Sequence, residues 1–221
     1  MTSKPRIGFI GLGKMGWPMA CQVAKAGYRL TVMDVDQSLA KQLAAELGAQ
    51  VADNGKDVAL SSDIIITILP NSQIVQTVLQ GTEGVLAGLR PGSILIDMTS
   101  GVPSMTQTLA KQVSQAGGVM VDAPVSGGVP RAKTGELSIM FGGPVDVLDQ
   151  VKPVLSCMGN AIEHIGDIGS AHAMKALNNL VSAGGFLIGI EAIMIGKRFG
   201  LSPEKMVDVL NASTGMNNST Q

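Results

Sequence analysis

Short runs of consecutive apolar residues alternate with longer segments of helical periodicity over the first 165 residues. Because these runs are apolar at successive positions, they are typical of parallel strands that are covered on both faces. The pattern predicts strands at Ile7–Ile10, Leu30–Met33, Ile64–Leu69, Ser93–Ile96 and Val119–Val121, with Leu137–Phe141 and Ala161–His164 added at an edge. Strands and helices in alternation predict an α/β fold with a doubly wound parallel sheet.

Polar and glycine positions between the strands indicate where helices begin and end. Leucine recurs at every fourth position between residues 39 and 47, ahead of Gly48, and glycine commonly ends a helix. Ser72 and Ser104 are predicted to cap the N-termini of two further helices, because a serine hydroxyl accepts a hydrogen bond from a free backbone N–H group.

The pattern changes after about Gly166, where strands end and helical periodicity continues alone. Residues 170–199 predict one long helix, and Ser202-Pro203 opens another with proline at its first position. We therefore expect one domain over residues 1–165. Residues 166–221 are expected to form a long connecting helix and the beginning of an all-α domain, so that the chain is cut off rather than finished.

The glycines after the first strand carry the most specific signal. Gly11-x-Gly13-x-x-Gly16 follows the strand at once and opens a helix. In this pattern Gly11 permits a tight turn, Gly13 allows the backbone to approach a pyrophosphate, and Gly16 lets the helix pack closely on the sheet. Free N–H groups and the dipole at the helix N-terminus favour the anion. The first domain is therefore predicted to be of the Rossmann type and to bind a dinucleotide. The remaining residues of the loop are Leu12, Lys14 and Met15.

An acid follows the second predicted strand. Asp34 lies 18 residues beyond Gly16, close to the distance expected of an acid that binds the adenosine ribose. A carboxylate there accepts hydrogen bonds from ribose hydroxyls and repels a 2′-phosphate, so Asp34 favours NAD and makes NADP less favoured. The alternative is an ordinary turn residue at a strand end, as Asp36 is expected to be.

Three polar loops follow strands that end at the same edge of the predicted sheet, where ligands of doubly wound sheets bind. Turn formation and helix capping would select similar residues, so each loop by itself leaves both interpretations open. A Ser-Gly-Gly segment can also present a hydroxyl and consecutive N–H groups to a carboxylate. The candidate residues are Leu69, Pro70 and Asn71, then Thr99 and Ser100, then Ser126, Gly127 and Gly128.

Lys175 is the candidate for proton transfer. It lies among Ala, Met and Leu residues on the long helix, and Asn179 follows one turn later on the same face. Partial desolvation lowers the pKa of a lysine and makes proton transfer near neutral pH feasible. The alternative is a lysine that extends to solvent beside a structural asparagine. His172 and His164 are not arranged as metal ligands, and His172 is predicted to lie on a helix surface or at an interface.

Composition limits the classes of partner. The net charge is −1 and aromatic residues make up 3% of the chain, which argues against nucleic acid and an anionic membrane surface. The most apolar stretch, Leu180–Ile195, is interrupted by Glu191 and is shorter than a membrane span, so it predicts a buried helix.

The cysteines and the N-terminus favour a cytoplasmic protein. Cys21 and Cys157 lack metal-ligand spacing and are expected to be reduced thiols. Residues 1–6 lead straight into the first predicted strand, so no signal peptide is expected.

Together these segments resemble the β-hydroxyacid dehydrogenase family, which includes 3-hydroxyisobutyrate dehydrogenase and tartronate semialdehyde reductase. The matching segments are residues 9–20 (FIGLGKMGWPMA), residues 122–135 (DAPVSGGVPRAKTG), and the run from Gly169 through Lys175 to Asn178-Asn179. The resemblance covers essentially the whole chain and is specific for the family, but not for the substrate.

The resemblance implies reversible hydride transfer between NAD(H) and a small β-hydroxy acid or its semialdehyde. It assigns Lys175 as the general acid–base and Ser126, Gly127 and Gly128 as the residues that hold the substrate carboxylate. Asn179 would position the substrate and Lys175, and Thr99 and Ser100 would lie near the nicotinamide. A homo-oligomer is expected, although the apolar Leu180–Ile195 face could pack either within the α domain or against a partner subunit. No metal site is expected, because the sequence contains no cluster of metal ligands.

Two departures from the family pattern affect these expectations. Many members have Gly-x-Gly where this chain has Gly169-Ser170-Ala171, so the methyl group of Ala171 is expected to narrow the substrate pocket. Members also continue beyond the equivalent of residue 221 and complete the α-helical domain.

Two other functions compete with the dehydrogenase. One is imine reduction on the same scaffold, and the other is a dinucleotide-binding scaffold that drives oligomerisation and is catalytically weak. Relatives of both kinds generally lack the proton-transfer residue. Lys175, Asn179 and Ser126 therefore favour the dehydrogenase.

Overall fold

The computed structural model describes residues 4–220, which form two compact units. The first unit ends at Lys175 and the second begins at Ala176. The proposed domain boundary between residues 165 and 166 stays a prediction.

The first unit contains a mostly parallel sheet with helices between its strands. The strands are β1 (Ile7–Ile10), β2 (Leu30–Met33), β3 (Gln50–Val51), β4 (Ile64–Thr67), β5 (Ile94–Asp97), β6 (Val119–Asp122), β7 (Val125–Ser126), β8 (Leu137–Gly142) and β9 (Gly159–Gly166). The helices of this unit are α1 (Gly16–Lys25), α2 (Gln37–Leu47), α3 (Gly55–Ser61), α4 (Ser72–Leu79), α5 (Val85–Gly88), α6 (Pro103–Gln115), α7 (Gly128–Thr134) and α8 (Val145–Leu155). Helix α9 (Ser170–Arg198) begins in the first unit and continues into the second, which also contains α10 (Pro203–Asn211).

The sheet has the order β3-β2-β1-β4-β5-β6-β8-β7, with β9 paired to β8. The strands from β3 to β6 are all parallel, and β8 is antiparallel to β6 and β7. Both faces are covered, as the continuous apolar runs predict. In β4, Ile64 and Ile66 pack in one hydrophobic cluster and Ile65 packs in the other. The predicted doubly wound α/β fold, followed by a helical region, is confirmed.

The predicted strands agree with the structure in place and differ at their ends. Strands β1 and β2 have the predicted bounds, whereas β4 ends at Thr67 and leaves Ile68 and Leu69 in the loop. Strand β9 is longer than predicted. Strands β3 and β7 were not predicted, because each has only two residues and carries no apolar run.

The helix caps correct two predictions. Gly48 ends α2 with a left-handed backbone (φ 66°), as expected. Asn71, not Ser72, caps α4, and its Oδ1 accepts a hydrogen bond from Ile74 N at 3.0 Å. Ser104 lies inside the first turn of α6, because Pro103 begins the helix with its fixed φ.

Helix α9 is not the buried helix that the sequence predicts. By length and composition α9 could cross a membrane, since its most apolar window has a mean hydropathy of 1.6. Only 6% of that window is buried, whereas the core helix of a soluble protein is mostly buried. Leu180, Val181 and Ile188 are each more than 65% exposed. The prediction inferred burial from apolar composition alone. A helix is buried only where another apolar surface packs against it, and the described residues do not form such a surface against α9.

Candidate active site

The order of the strands reverses at β1. Strand β1 pairs with β2 on one side and with β4 on the other. In doubly wound sheets ligands bind outside the carboxyl ends of the strands at such a reversal. The glycine loop after β1 and the loop after β4 both lie at this edge, and Ile68 N donates to Ile10 O at 3.0 Å.

The three motif glycines meet different surroundings. Gly11 has a φ of +97°, and a Cβ atom there would lie 2.2 Å from Ile68 O. A Cβ atom on Gly16 would lie 1.9 Å from Gly11 O, so neither position has room for a side chain. A Cβ atom on Gly13 would have no described heavy atom within 4 Å. Gly11 and Gly16 are therefore required by the fold, whereas Gly13 faces open space.

Asp34 is held against the glycine loop. Its Oδ2 accepts a hydrogen bond from Leu12 N at 2.7 Å, and its Oδ1 accepts one from Asp36 N at 2.9 Å. Asp36 instead caps α2 through hydrogen bonds from Ser38 N and Leu39 N. The carboxylate of Asp34 thus lies at the carboxyl end of β2, beside the glycine loop.

The loops after β4 and β5 are joined by hydrogen bonds. Thr99 Oγ1 accepts from Leu69 N at 3.0 Å. Buried Asp97 accepts from Thr67 Oγ1 at 2.9 Å and from Thr99 N at 3.1 Å. Thr99 is buried, so its role in the described structure is to join the two loops.

The other candidates from these two loops, Pro70, Asn71 and Ser100, are exposed. Asn71 uses its side-chain oxygen to cap α4, which is the alternative that the sequence left open.

The Ser-Gly-Gly segment forms the turn between β7 and α7. Ser126 pairs with Ser138 across the antiparallel β7–β8 ladder. Gly127 and Gly128 have φ values of 125° and 67°, which side chains other than glycine rarely adopt. Both glycines are exposed, and no described hydrogen bond joins this segment to Lys175.

Lys175 is a buried lysine at the end of the first unit. Its exposure is 9%, and burial lowers the pKa of its ammonium group below the ordinary range. Among the described residues it has no hydrogen-bond or ion-pair partner. An unpaired lysine in a desolvated position exchanges a proton more readily near neutral pH than an exposed one does.

Asn179 belongs to the second unit and is exposed, with Oδ1 at 3.4 Å from Asn178 Nδ2.

Ala171, which stands where many family members have glycine, is fully buried. Its methyl group therefore lies within the packed first unit rather than at an open cleft, which is contrary to the expectation that it narrows a pocket.

His172 corrects another prediction. It is completely buried rather than on a surface, and its Nδ1 lies 2.7 Å from Thr106 Oγ1. Its neighbour is Asp122, also completely buried, with Oδ2 at 3.9 Å from His172 Nδ1. No role was predicted for Asp122 from the sequence, although it ends a strand, as Asp97 ends the preceding strand, and a carboxylate at that position was a usable signal. No cluster of three or more potential metal ligands occurs among residues 4–220.

Comparisons with known proteins identify the family. Residues 6–166 match the NAD-binding domain of 6-phosphogluconate dehydrogenase, and residues 169–221 match the NAD-binding domain of NADP-dependent 3-hydroxyisobutyrate dehydrogenase. The chain is 41% identical to 2-(hydroxymethyl)glutarate dehydrogenase of Eubacterium barkeri, over 97% of this chain and 71% of that protein. The chain belongs to the β-hydroxyacid dehydrogenase family.

Two further relatives support this assignment to the β-hydroxyacid dehydrogenase family. Mitochondrial 3-hydroxyisobutyrate dehydrogenase of Mus musculus is 41% identical over 97% of this chain, which spans 64% of that protein. The structure of 3-hydroxyisobutyrate dehydrogenase from Mycobacterium tuberculosis with L-serine matches with a TM-score of 0.91 and 31% identity, over 98% of this chain and 73% of that one. The predictions of family, fold class and an oxidoreductase are confirmed.

The comparisons leave the choice of dinucleotide open. An imine reductase variant from Myxococcus stipitatus with NAD⁺ matches with a TM-score of 0.88 and 26% identity, over 95% of this chain and 72% of that one. The imine reductase from the same organism with NADP⁺ matches with a TM-score of 0.84 and 25% identity, over 94% and 71%. The first domain is therefore a nucleotide-binding domain of the NAD(P) type.

Proposed function

We propose that the protein transfers a hydride between NAD(H) and a small β-hydroxy acid or the corresponding semialdehyde, with Lys175 as the general acid–base. The observation that carries this proposal is a desolvated lysine without a described partner, in a chain whose glycine loop leaves open space at Gly13. Two kinds of substrate fit the proposal: 3-hydroxyisobutyrate is the more apolar example and 2-hydroxy-3-oxopropionate the more polar one.

The cofactor site follows from the geometry of the loops. We propose that the N–H groups of residues 13–16, at the N-terminus of α1, bind the pyrophosphate, because Gly13 borders open space. The N–H group of Leu12 is not included, since it already donates to Asp34. Leu69, Pro70, Asn71, Thr99 and Ser100 would line the nicotinamide side. When bound, the oxidised dinucleotide accepts a hydride and the reduced one donates it.

The chain's own groups would move the proton. In the oxidative direction, neutral Lys175 Nζ takes the proton of the substrate hydroxyl while the hydride leaves the carbon that bears this hydroxyl. In the reductive direction, the ammonium group gives that proton to the carbonyl oxygen. We propose that Ser126 and the N–H groups of Gly127 and Gly128 hold the carboxylate and that Asn179 orients the substrate.

The pH dependence of the two directions is expected to be opposite. Because burial lowers the pKa of Lys175, its neutral form is present at a lower pH than that of an exposed lysine. The kcat/KM for oxidation should therefore rise with pH and level off below the ordinary lysine range, and kcat/KM for reduction should fall over the same interval. Steady-state profiles in both directions test this, and profiles with no common inflection contradict it.

Asp34 is proposed to select NAD over NADP. Asp34→Asn keeps an oxygen that can accept from Leu12 N but removes the charge that repels a 2′-phosphate. A hydrogen bond to a charged group contributes about 1.5–3 kcal/mol, so we expect about 10-fold or greater loss of the NADH-over-NADPH preference. Fluorescence titrations with both dinucleotides measure it, with the exposed Glu46→Gln on α2 as a matched loss of charge. An unchanged preference in Asp34→Asn would contradict the assignment.

Imine reduction is the second candidate, favoured by the similarity to the imine reductases. Lys175 argues against it, and parallel assays with a cyclic imine and a semialdehyde separate the two activities.

A cytoplasmic location and a homo-oligomer are also proposals. The exposed apolar side chains of α9 favour a surface that is covered in the whole protein. The mouse relative is mitochondrial, so the compartment requires its own measurement.

A further inference from the structure

We propose that His172 is a positioning residue: its buried imidazole fixes the first turns of α9, and thus Lys175, to the loop of residues 99–102. This inference rests on the proposed function, because it assumes that Lys175 and Ser100 act on the same substrate and cofactor. All of the residues that make these contacts belong to the first unit.

The first step is the anchoring of α9 by Asp122. Its Oδ1 accepts from Gly169 N and its Oδ2 accepts from His172 N, both at 2.7 Å, and all four atoms are buried. A carboxylate at a helix N-terminus is favoured by the free N–H groups and by the helix dipole. The end of β6 thus holds the beginning of the helix that carries Lys175.

The second step is the hydrogen bond to α6. Thr106 Oγ1 lies 2.7 Å from His172 Nδ1 and donates to Val102 O at 3.1 Å. Since a hydroxyl has one hydrogen, this arrangement assigns the proton of the 2.7 Å bond to Nδ1 of a neutral imidazole. Nε2 is then an acceptor, and it has no described partner although it is buried.

The third step is the packing of the ring on the loop. A Cβ atom on Gly101 would lie 2.7 Å from His172 Cε1 and 3.1 Å from Ser72 Oγ. Ser72 Oγ also accepts from Val102 N at 2.7 Å. The loop after β5 is therefore enclosed between the imidazole on α9 and the first residue of α4.

These contacts connect the ring with the proposed chemistry. Lys175 follows His172 by three positions, so the two side chains lie on one side of α9. The ionisable group that faces the ring is Asp122, whereas the partners on α6 and in the loop are neutral. The contacts of the ring with Thr106 and Gly101 join the first turn of α9, which leads to Lys175, to the loop that carries Ser100. If the ring served only to fill space, an apolar side chain would do so without burying an unpaired nitrogen such as Nε2.

The test compares Thr106→Val with Thr106→Ser in the whole protein. Valine keeps the shape of threonine and removes the hydroxyl, whereas serine keeps the hydroxyl. Small displacements of catalytic groups are costly, so Thr106→Val should lower kcat by about 10–100-fold and move the pH inflection assigned to Lys175, with little change in KM. Thr106→Ser should restore both.

A second variant covers the case in which Thr106→Val does not fold. Gly101→Ala keeps the Thr106 hydroxyl but places a methyl group against Cε1 and Nδ1 of the ring, so it displaces the imidazole from the loop side and should also lower kcat and move the inflection. A lower thermal midpoint with wild-type kcat and an unmoved inflection in the folded variants overturns the proposal, because it indicates a structural role only.

A readout without turnover separates this proposal from the proposed function. Lysines can be ¹³C-methylated, and Lys175→Arg identifies the signal that belongs to Lys175. If the wild type binds NADH but reduces no substrate, the proposed function fails. A Lys175 titration that shifts in Thr106→Val and recovers in Thr106→Ser still supports positioning, and identical titrations in all three proteins overturn it.

Discussion

Lys175→Met is expected to lower kcat by about 10²–10⁴-fold, the usual contribution of a general acid–base residue. Methionine has a similar length and no proton to transfer. NADH affinity should stay near that of the wild type, because the proposed cofactor contacts come from the glycine loop. The thermal midpoint should not fall, since the variant removes a buried charge that has no described partner. Stopped-flow NADH oxidation, together with a thermal melt, measures both effects.

Two control variants make this result specific. Lys175→Arg keeps the positive charge but does not release a proton near neutral pH, so it should be about as slow as Lys175→Met. Lys111→Met removes an exposed lysine on α6 and should leave the rate unchanged. Recovery of the rate in Lys175→Arg would mean that the charge, and not proton transfer, is what the site requires.

Gly13→Ala and Gly16→Ala are expected to fail in different ways. At Gly16 the new methyl group would overlap Gly11 O, so the loop must move, at a cost of about 1–3 kcal/mol in folding stability. At Gly13 the methyl group enters open space, so the fold should be kept. The methyl group would meet the pyrophosphate instead, and NADH should bind about 10–100-fold more weakly.

The measurements for this pair are chemical denaturation and calorimetric titration with NADH. The account requires a loss of stability in Gly16→Ala and a loss of affinity at unchanged stability in Gly13→Ala. Wild-type affinity in Gly13→Ala would mean that the dinucleotide does not approach the backbone at this loop.

Local patterns were sufficient to predict most of the sheet. The strands β1, β2, β4, β5 and β6 are buried on both faces, so their apolar runs identify them without ambiguity. The same reasoning could not find β3 or β7, which are short and exist because a neighbouring strand pairs with them. The glycine motif was predictable because its three glycines lie within six consecutive residues, so the pattern is visible in the local sequence.

The contacts around His172 were not predictable from local pattern. Its partners Asp122 and Thr106 are 50 and 66 positions away in the sequence, and only the sheet order brings them together. A histidine among alanines on a helix gives no periodic signal of its own burial. The exposure of α9 was mispredicted for the converse reason, since apolar composition does not specify what covers a helix.

The most direct test of the account is NADH oxidation by the whole protein with 2-hydroxy-3-oxopropionate, methylmalonate semialdehyde, succinic semialdehyde and glyoxylate, each repeated with Lys175→Met. The account predicts turnover of at least one of these carboxylates and a loss of about 10²–10⁴-fold in the variant with NADH binding intact. Tight NADH binding without reduction of any of them would contradict hydride transfer to a small carboxylate, and an equally fast variant would contradict the role of Lys175.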